Sequence, residues 1–169
     1  MSRTSPAVLI PVGVVIERRK AKSPWVDFTW RPVAVLPGVP NAAPWTVLDS
    51  NAERTNFYGG AAEIELYRSD ATGYRDNLAT GAALLWVALR PTGLEPPYEF
   101  VAVTAEPGEG EAFNESSTDL VEAVPMPETV RAAIADFVGE HCVEHPFIKR
   151  HQNRADPEAM ARRALKDRK

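Results

Sequence analysis

The sequence predicts an α+β fold: mainly an antiparallel β sheet or a small barrel-like domain, one packed C-terminal helix and a basic helical tail. Three observations carry this. Short apolar runs, several of them alternating, recur along the first 124 residues with turn clusters between them. Fifteen Pro are spread through the chain, and each removes an amide donor and clashes with the preceding helical turn, which disfavours long helices. One later segment, Glu128 to Cys142, carries Val130, Ile134, Phe137 and Val138 at helical spacing.

The first predicted strand, Val8 to Arg18, holds Val12, Val14, Val15 and Ile16 before polar residues begin at Glu17. Trp30 to Leu36 alternates loosely and stops at Pro37-Gly38, and Trp45 to Leu48 is a short third strand. Ala62 to Arg68 is the clearest, with Ile64 and Leu66 opposite Glu63, Glu65 and Tyr67, as a half-buried strand requires. Ala82 to Arg90 is dense enough in apolar residues for a strand buried on both faces, although its Ala and Leu also suit a helix; Tyr98 to Thr104 alternates again. Ser69 to Gly73, Asn77 to Gly81 and Pro91 to Pro97 read as turns, Glu106 to Glu115 as a solvated acidic loop, and Thr118 to Val124 as a last strand. Ala62–Arg68, Ala82–Arg90 and Tyr98–Thr104 are expected side by side in one antiparallel sheet, with the helix 128–142 packed across it. Asp156-Pro157 opens a second helical pattern, Glu158 to Lys169, with Met160 and Leu165 as its large apolar residues.

The length suits one domain, with 44% apolar and 25% charged residues. The expected division is a β-rich globular domain over 1–148 and a tail over 149–169. The charge divides likewise: 11 Lys/Arg against 20 Asp/Glu in 1–148, then 8 against 3 in the tail. An acidic body argues against a nucleic-acid platform and marks the tail as a contact segment. Cys142 is the single cysteine, so no internal disulfide forms. The apolar run Ala7 to Ile16 contains Pro11 and Gly13 and leads straight into Glu17-Arg18-Arg19-Lys20, which reads as a strand and not a signal peptide. With no window long enough to span a bilayer, a cytoplasmic location is expected.

Two groups of residues invite a chemical reading. His141, Cys142 and His145 would place two imidazoles one helical turn apart, with His151 nearby. The paired-cysteine spacing of structural zinc sites and the HExxH pattern are both missing, and histidines at a helix C-terminus already satisfy free carbonyls, so no metal and no cofactor is expected. The second group is Arg18, Arg19, Trp25, Trp30, Arg31 and Trp45, where tryptophans beside prolines interleave with arginines. Such a surface stacks on a ligand, a peptide or an anionic group; the high average burial of Trp favours instead the packed end of a small barrel with arginine laid across it. GxSxG, P-loop and CxxC patterns are absent, and no catalytic residue is assigned.

Ile10–Trp25, Thr29–Gly38 with Ala42–Trp45, Phe100–Phe113 with Asp119–Pro127, and Pro146–Arg163 together resemble a bacterial family termed domain of unknown function 3305. The segment WRPVAVLPG is its most distinctive stretch. Members are often encoded near molybdenum-dependent formate dehydrogenases and their assembly proteins, and some have carried a name drawn from molybdenum-cofactor nucleotide attachment. The resemblance therefore implies an accessory role in that setting, while the glycine-rich start of a nucleotidyltransferase is absent here. The expected function is a non-enzymatic accessory or assembly protein with a protein partner, a formate dehydrogenase component being the one implied. The alternatives are an anionic-ligand binding protein or an unrecognised enzyme and, third, a nucleic-acid contact by the tail. Oligomeric state is left open.

Overall fold

The structure, a computed structural model, describes residues 4–115 and 118–142. His145, the tail 149–169 and the helical pattern at 158–169 lie outside the described residues. Strands β1 (Val8–Lys20), β2 (Phe28–Pro37), β3 (Val47–Ser50) and β4 (Arg54–Leu66) form an antiparallel sheet in the order β2-β1-β4-β3. Helix α1 (Ala71–Ala79) follows. Strands β5 (Leu84–Pro91), β6 (Tyr98–Thr104) and β7 (Leu120–Pro125) form a second antiparallel sheet in the order β6-β5-β7. Helix α2 (Pro107–Phe113) lies between β6 and β7, and α3 (Glu128–His141) follows β7. The fold is α+β and mostly strand, as the sequence predicts. Strand β2 lies against β7 and β4 against β6, but hydrogen bonding does not run between the sheets, so no barrel closes.

The core fills the space between the sheets and under α1 and α3. Val12, Val14 and Ile16 of β1 and Ile64 and Leu66 of β4 meet Leu85, Val87 and Leu89 of β5 there, with Val130, Ile134 and Phe137 from α3. The alternation read along Ala62–Arg68 holds: Ala62, Ile64 and Leu66 are buried, while Glu63 and Glu65 are exposed. The sheet assignment of that strand is corrected. It ends β4 of the four-stranded sheet, whereas the Ala82–Arg90 and Tyr98–Thr104 segments pair in the other. Periodicity reports which face of a strand is buried and carries no information on which strand it pairs with.

Two segments read as turn or loop are helical. Ala71–Ala79 is α1, although Gly73, Asp76 and Asn77 are poor helix formers. Tertiary contacts outweigh propensity here. Ala71, Tyr74 and Asn77 form its buried stripe, and Tyr74 meets Phe137 of α3 edge to face at 5.9 Å. The acidic stretch after Ala105 is α2, started by Glu106, whose carboxylate accepts from the amides of Gly108 at 3.1 Å and Glu109 at 2.7 Å, with Pro107 in the first turn. Gly110 lies flat on the Trp86 ring, where a Cβ would collide with the indole.

Candidate functional site

Strands β1, β2 and β4 run past the core, and the register shows where they leave it. Val15 pairs with Ala34 and Ile16 with Pro32, so Val33 bulges from β2; Val14 pairs with Gly60 and Val15 with Tyr58, so Gly59 bulges from β4. Both bulges flank the same point of β1. A bulge adds local bend and twist, so the sheet is re-aimed from there outward. Glycine is required at 59 because a Cβ would sit 2.6 Å from the buried Ile16 Cδ1.

Directly opposed residues of neighbouring strands share a face. On the core-side face beyond the bulges one row reads Trp30, Arg18, Thr55, Ser50 across β2, β1, β4 and β3, and the next pairs Phe28 with Lys20. Trp30 stacks on Phe57 at 5.9 Å, meets Trp45 edge on at 6.0 Å and approaches Tyr98 of the second sheet at 6.2 Å. The Arg18 guanidinium lies over three rings of this shelf, 4.6 Å from Phe28, 5.3 Å from Phe57 and 5.8 Å from Trp30. Among the described residues it has no carboxylate partner.

The opposite face carries Arg31, Glu17, Asn56 and Asp49 in one row and Thr29, Arg19 and Arg54 in the next. Glu17 is buried, and Arg19 Nε at 3.0 Å, Arg31 Nε at 3.4 Å and an Arg54 terminal nitrogen at 3.6 Å surround its carboxylate. Burial pushes the Glu17 carboxyl up, but the hydrogen bond and charge of Arg19, joined by those of Arg31, reverse this and hold it below the ordinary carboxylate value. A depressed folded value means that the stabilisation is present above the ordinary carboxylate pKa and is lost as pH falls through the folded one. Wild type should therefore exceed Glu17→Gln in stability at neutral pH by about 1 kcal/mol, a modest figure because the arginines are half exposed and screened. The gap should narrow in thermal melts as pH falls below the ordinary carboxylate range; a gap constant from neutral pH into strong acid would show that the charge of Glu17 contributes nothing.

The six residues singled out in the sequence thus reach one end of the sheet but not one surface. Arg18, Trp30 and Trp45 are on the aromatic shelf, and Arg19 and Arg31 are on the far face. Trp25 stands in the β1–β2 connection, where its ring is 90% exposed beside Val26 at 52%. The arginine that lies over the rings is Arg18, whereas Arg31 turns to Glu17 on the far face, a division that follows from strand parity. Trp45 precedes β3 instead of starting it and has a positive φ of 72°, its amide held by the Tyr58 carbonyl. Glu17, Phe28, Arg54 and Phe57 complete the arrangement without having been singled out; charge parity along β1 was the signal for Glu17, whereas Arg54 joins it from β4.

His141 packs its ring 4.4 Å from Phe137, and Cys142 Sγ accepts from an Arg75 terminal nitrogen at 3.4 Å. No group of three or more His, Cys, Asp or Glu placed to hold a metal occurs among the described residues. No helix among them is long and apolar enough to cross a membrane. No curated protein and no solved structure matches the chain. A family model described as Protein of unknown function (DUF3305) matches residues 11–151, through both faces of this sheet and α3, and the chain belongs to that family.

Proposed function

We propose that this chain is a non-catalytic accessory or assembly protein of the cytoplasm that recognises a protein partner through the β1–β2 hairpin and the adjoining aromatic shelf. The observation that carries the reading is Trp25, 90% exposed at the hairpin tip and followed by exposed Val26 and Phe28. Trp is rarely left so open, and exposed aromatics clustered with arginine are the residue types that dominate protein interfaces. Trp30, Trp45 and Phe57 close on one another behind the tip, giving a firm backing instead of a cleft between the rings. The resemblance drawn from the sequence supports a component of a molybdenum-dependent formate dehydrogenase, or of its assembly apparatus, as the partner. The basic segment 149–169 is a second point of attachment in this reading.

The test is affinity capture from the native host followed by mass spectrometry, with wild type, Trp25→Ala and a chain ending at Phe147. Wild type should retain a formate dehydrogenase component or assembly protein. Trp25→Ala should weaken that capture about tenfold or more, with an unchanged melting temperature because the ring packs on little. Equal capture by Trp25→Ala would remove the hairpin from the interface, and a partner set without any such component would remove the formate dehydrogenase link. A second reading, a small anionic ligand at the same end of the sheet, is favoured by the cavity beside Arg18.

A further inference from the structure

We propose that the cavity bounded by Arg18, Lys20 and the β3–β4 turn binds a phosphate group. The cavity measures about 320 Å³ and is lined by Arg18, Lys20, Ser50, Asn51, Glu53 and Thr55, among others. It is rich in unused donors. Neither Arg18 nor Lys20 has an ion-pair partner among the described residues, although both reach it from alternate positions of β1. The Ser50 and Thr55 hydroxyls are 2.9 Å apart and share a single hydrogen bond, so one of the two protons remains available. Asn51 spends its side-chain oxygen on the amides of Glu53 and Arg54, both at 2.9 Å, and keeps its amide hydrogens. Against these stands one carboxylate, Glu53; the Arg54 charge is shared with Glu17.

The donors select phosphate over carboxylate by their arrangement. A carboxylate has two oxygens in one plane, which the guanidinium fork alone satisfies. Arg18 and Lys20 are two residues apart on one strand face, about 6.6 Å along the backbone, so they approach an anion from separate directions. Three phosphate oxygens can meet the fork, the ammonium and a hydroxyl together, and a charge of about −1.5 to −2 matches two unpaired cations. Stacking on Phe28, Trp30 and Phe57 fixes the plane of the guanidinium before a ligand arrives. The Phe28 ring at the cavity wall is partly exposed and offers a face to an aromatic body carrying the phosphate. This assignment stands on the cavity alone and holds whether or not the hairpin engages a protein.

The full-length chain, labelled with nitrogen-15, should be titrated by NMR with inorganic phosphate and separately with phenyl phosphate, using acetate at matched ionic strength as control. Saturable shifts are expected at the amides of Arg18, Lys20, Ser50 and Thr55, with none from acetate. Phenyl phosphate binding more tightly than inorganic phosphate would assign an organic phosphomonoester, and equal affinity would assign the free ion. Arg18→Ala should weaken binding on the order of tenfold, and Arg18→Lys should restore only part of it. Because Arg18→Ala also loses packing, Lys20→Ala, at an exposed position, serves as the second variant and should weaken binding several-fold. Shifts that acetate reproduces, or affinity unchanged in Lys20→Ala and Arg18→Ala, would overturn the site.

Discussion

Replacing Asn77 by alanine is expected to destabilise the fold by about 3 kcal/mol or more, because each buried backbone group left without a partner costs about 1–3 kcal/mol. The side chain of Asn77 is buried in α1 and bonds three backbone groups of other elements. Its amide nitrogen donates to the carbonyls of Leu84 at 2.8 Å and Ala105 at 2.9 Å, and its oxygen accepts from the Leu84 amide at 3.0 Å. One residue therefore ties α1 to the start of β5 and to the chain just after β6. Asn77→Asp should be at least as damaging at neutral pH, since a carboxylate would face two carbonyl oxygens. Burial and those carbonyls would raise the pKa of the introduced acid, so its stability should recover as pH falls and worsen as pH rises through that value. Urea unfolding of both variants between pH 4 and 8 checks this; an Asn77→Ala midpoint close to wild type would show that water replaces the amide at little cost.

The second large effect is expected at Phe137→Ala, a loss of about 3–5 kcal/mol, the usual range for emptying a buried aromatic site. Phe137 is 2% exposed and holds α3 on α1 through Tyr74 at 5.9 Å, with His141 on its other side at 4.4 Å. By contrast, Arg131→Ala on the same helix breaks an exposed, solvent-screened pair with Glu128 and should leave the melting temperature nearly unchanged. Calorimetric melts of the two variants separate packing from surface charge. Comparable losses from both would mean that α3 is held by its outer face.

Much of the fold was legible because burial imposes periodicity. Ile64 and Leu66 in β4, and Val130, Ile134 and Phe137 in α3, declare their elements through which positions are apolar. Helix α1 was not legible, because one of its three inward residues is the polar Asn77, and its polar and glycine positions imitate a turn. Helix α2 was hidden by its cap: a glutamate before Pro-Gly looks like loop chemistry until its carboxylate is seen gathering the first amides. The tryptophans and arginines singled out in the sequence gather at one end of the sheet. Dividing them required strict two-residue alternation across β1 and its partners, which sets Arg18 against Arg19 and brings Phe28 and Phe57, unremarkable in sequence, beneath the guanidinium.

The paired bulges beside Val15 also bear on how cheaply this end of the molecule can bind. Beyond them the same strands continue without a hinge: β1 passes from Val12 and Val14, fully buried, to Arg18 and Lys20 in one ladder bonded on both sides. The outer end is therefore a cantilever whose root is the core. Its rows of side chains are held in place before any encounter, so association does not have to order the backbone first. That ordering cost is among the larger penalties of association, and a surface that avoids it can hold a partner with few contacts.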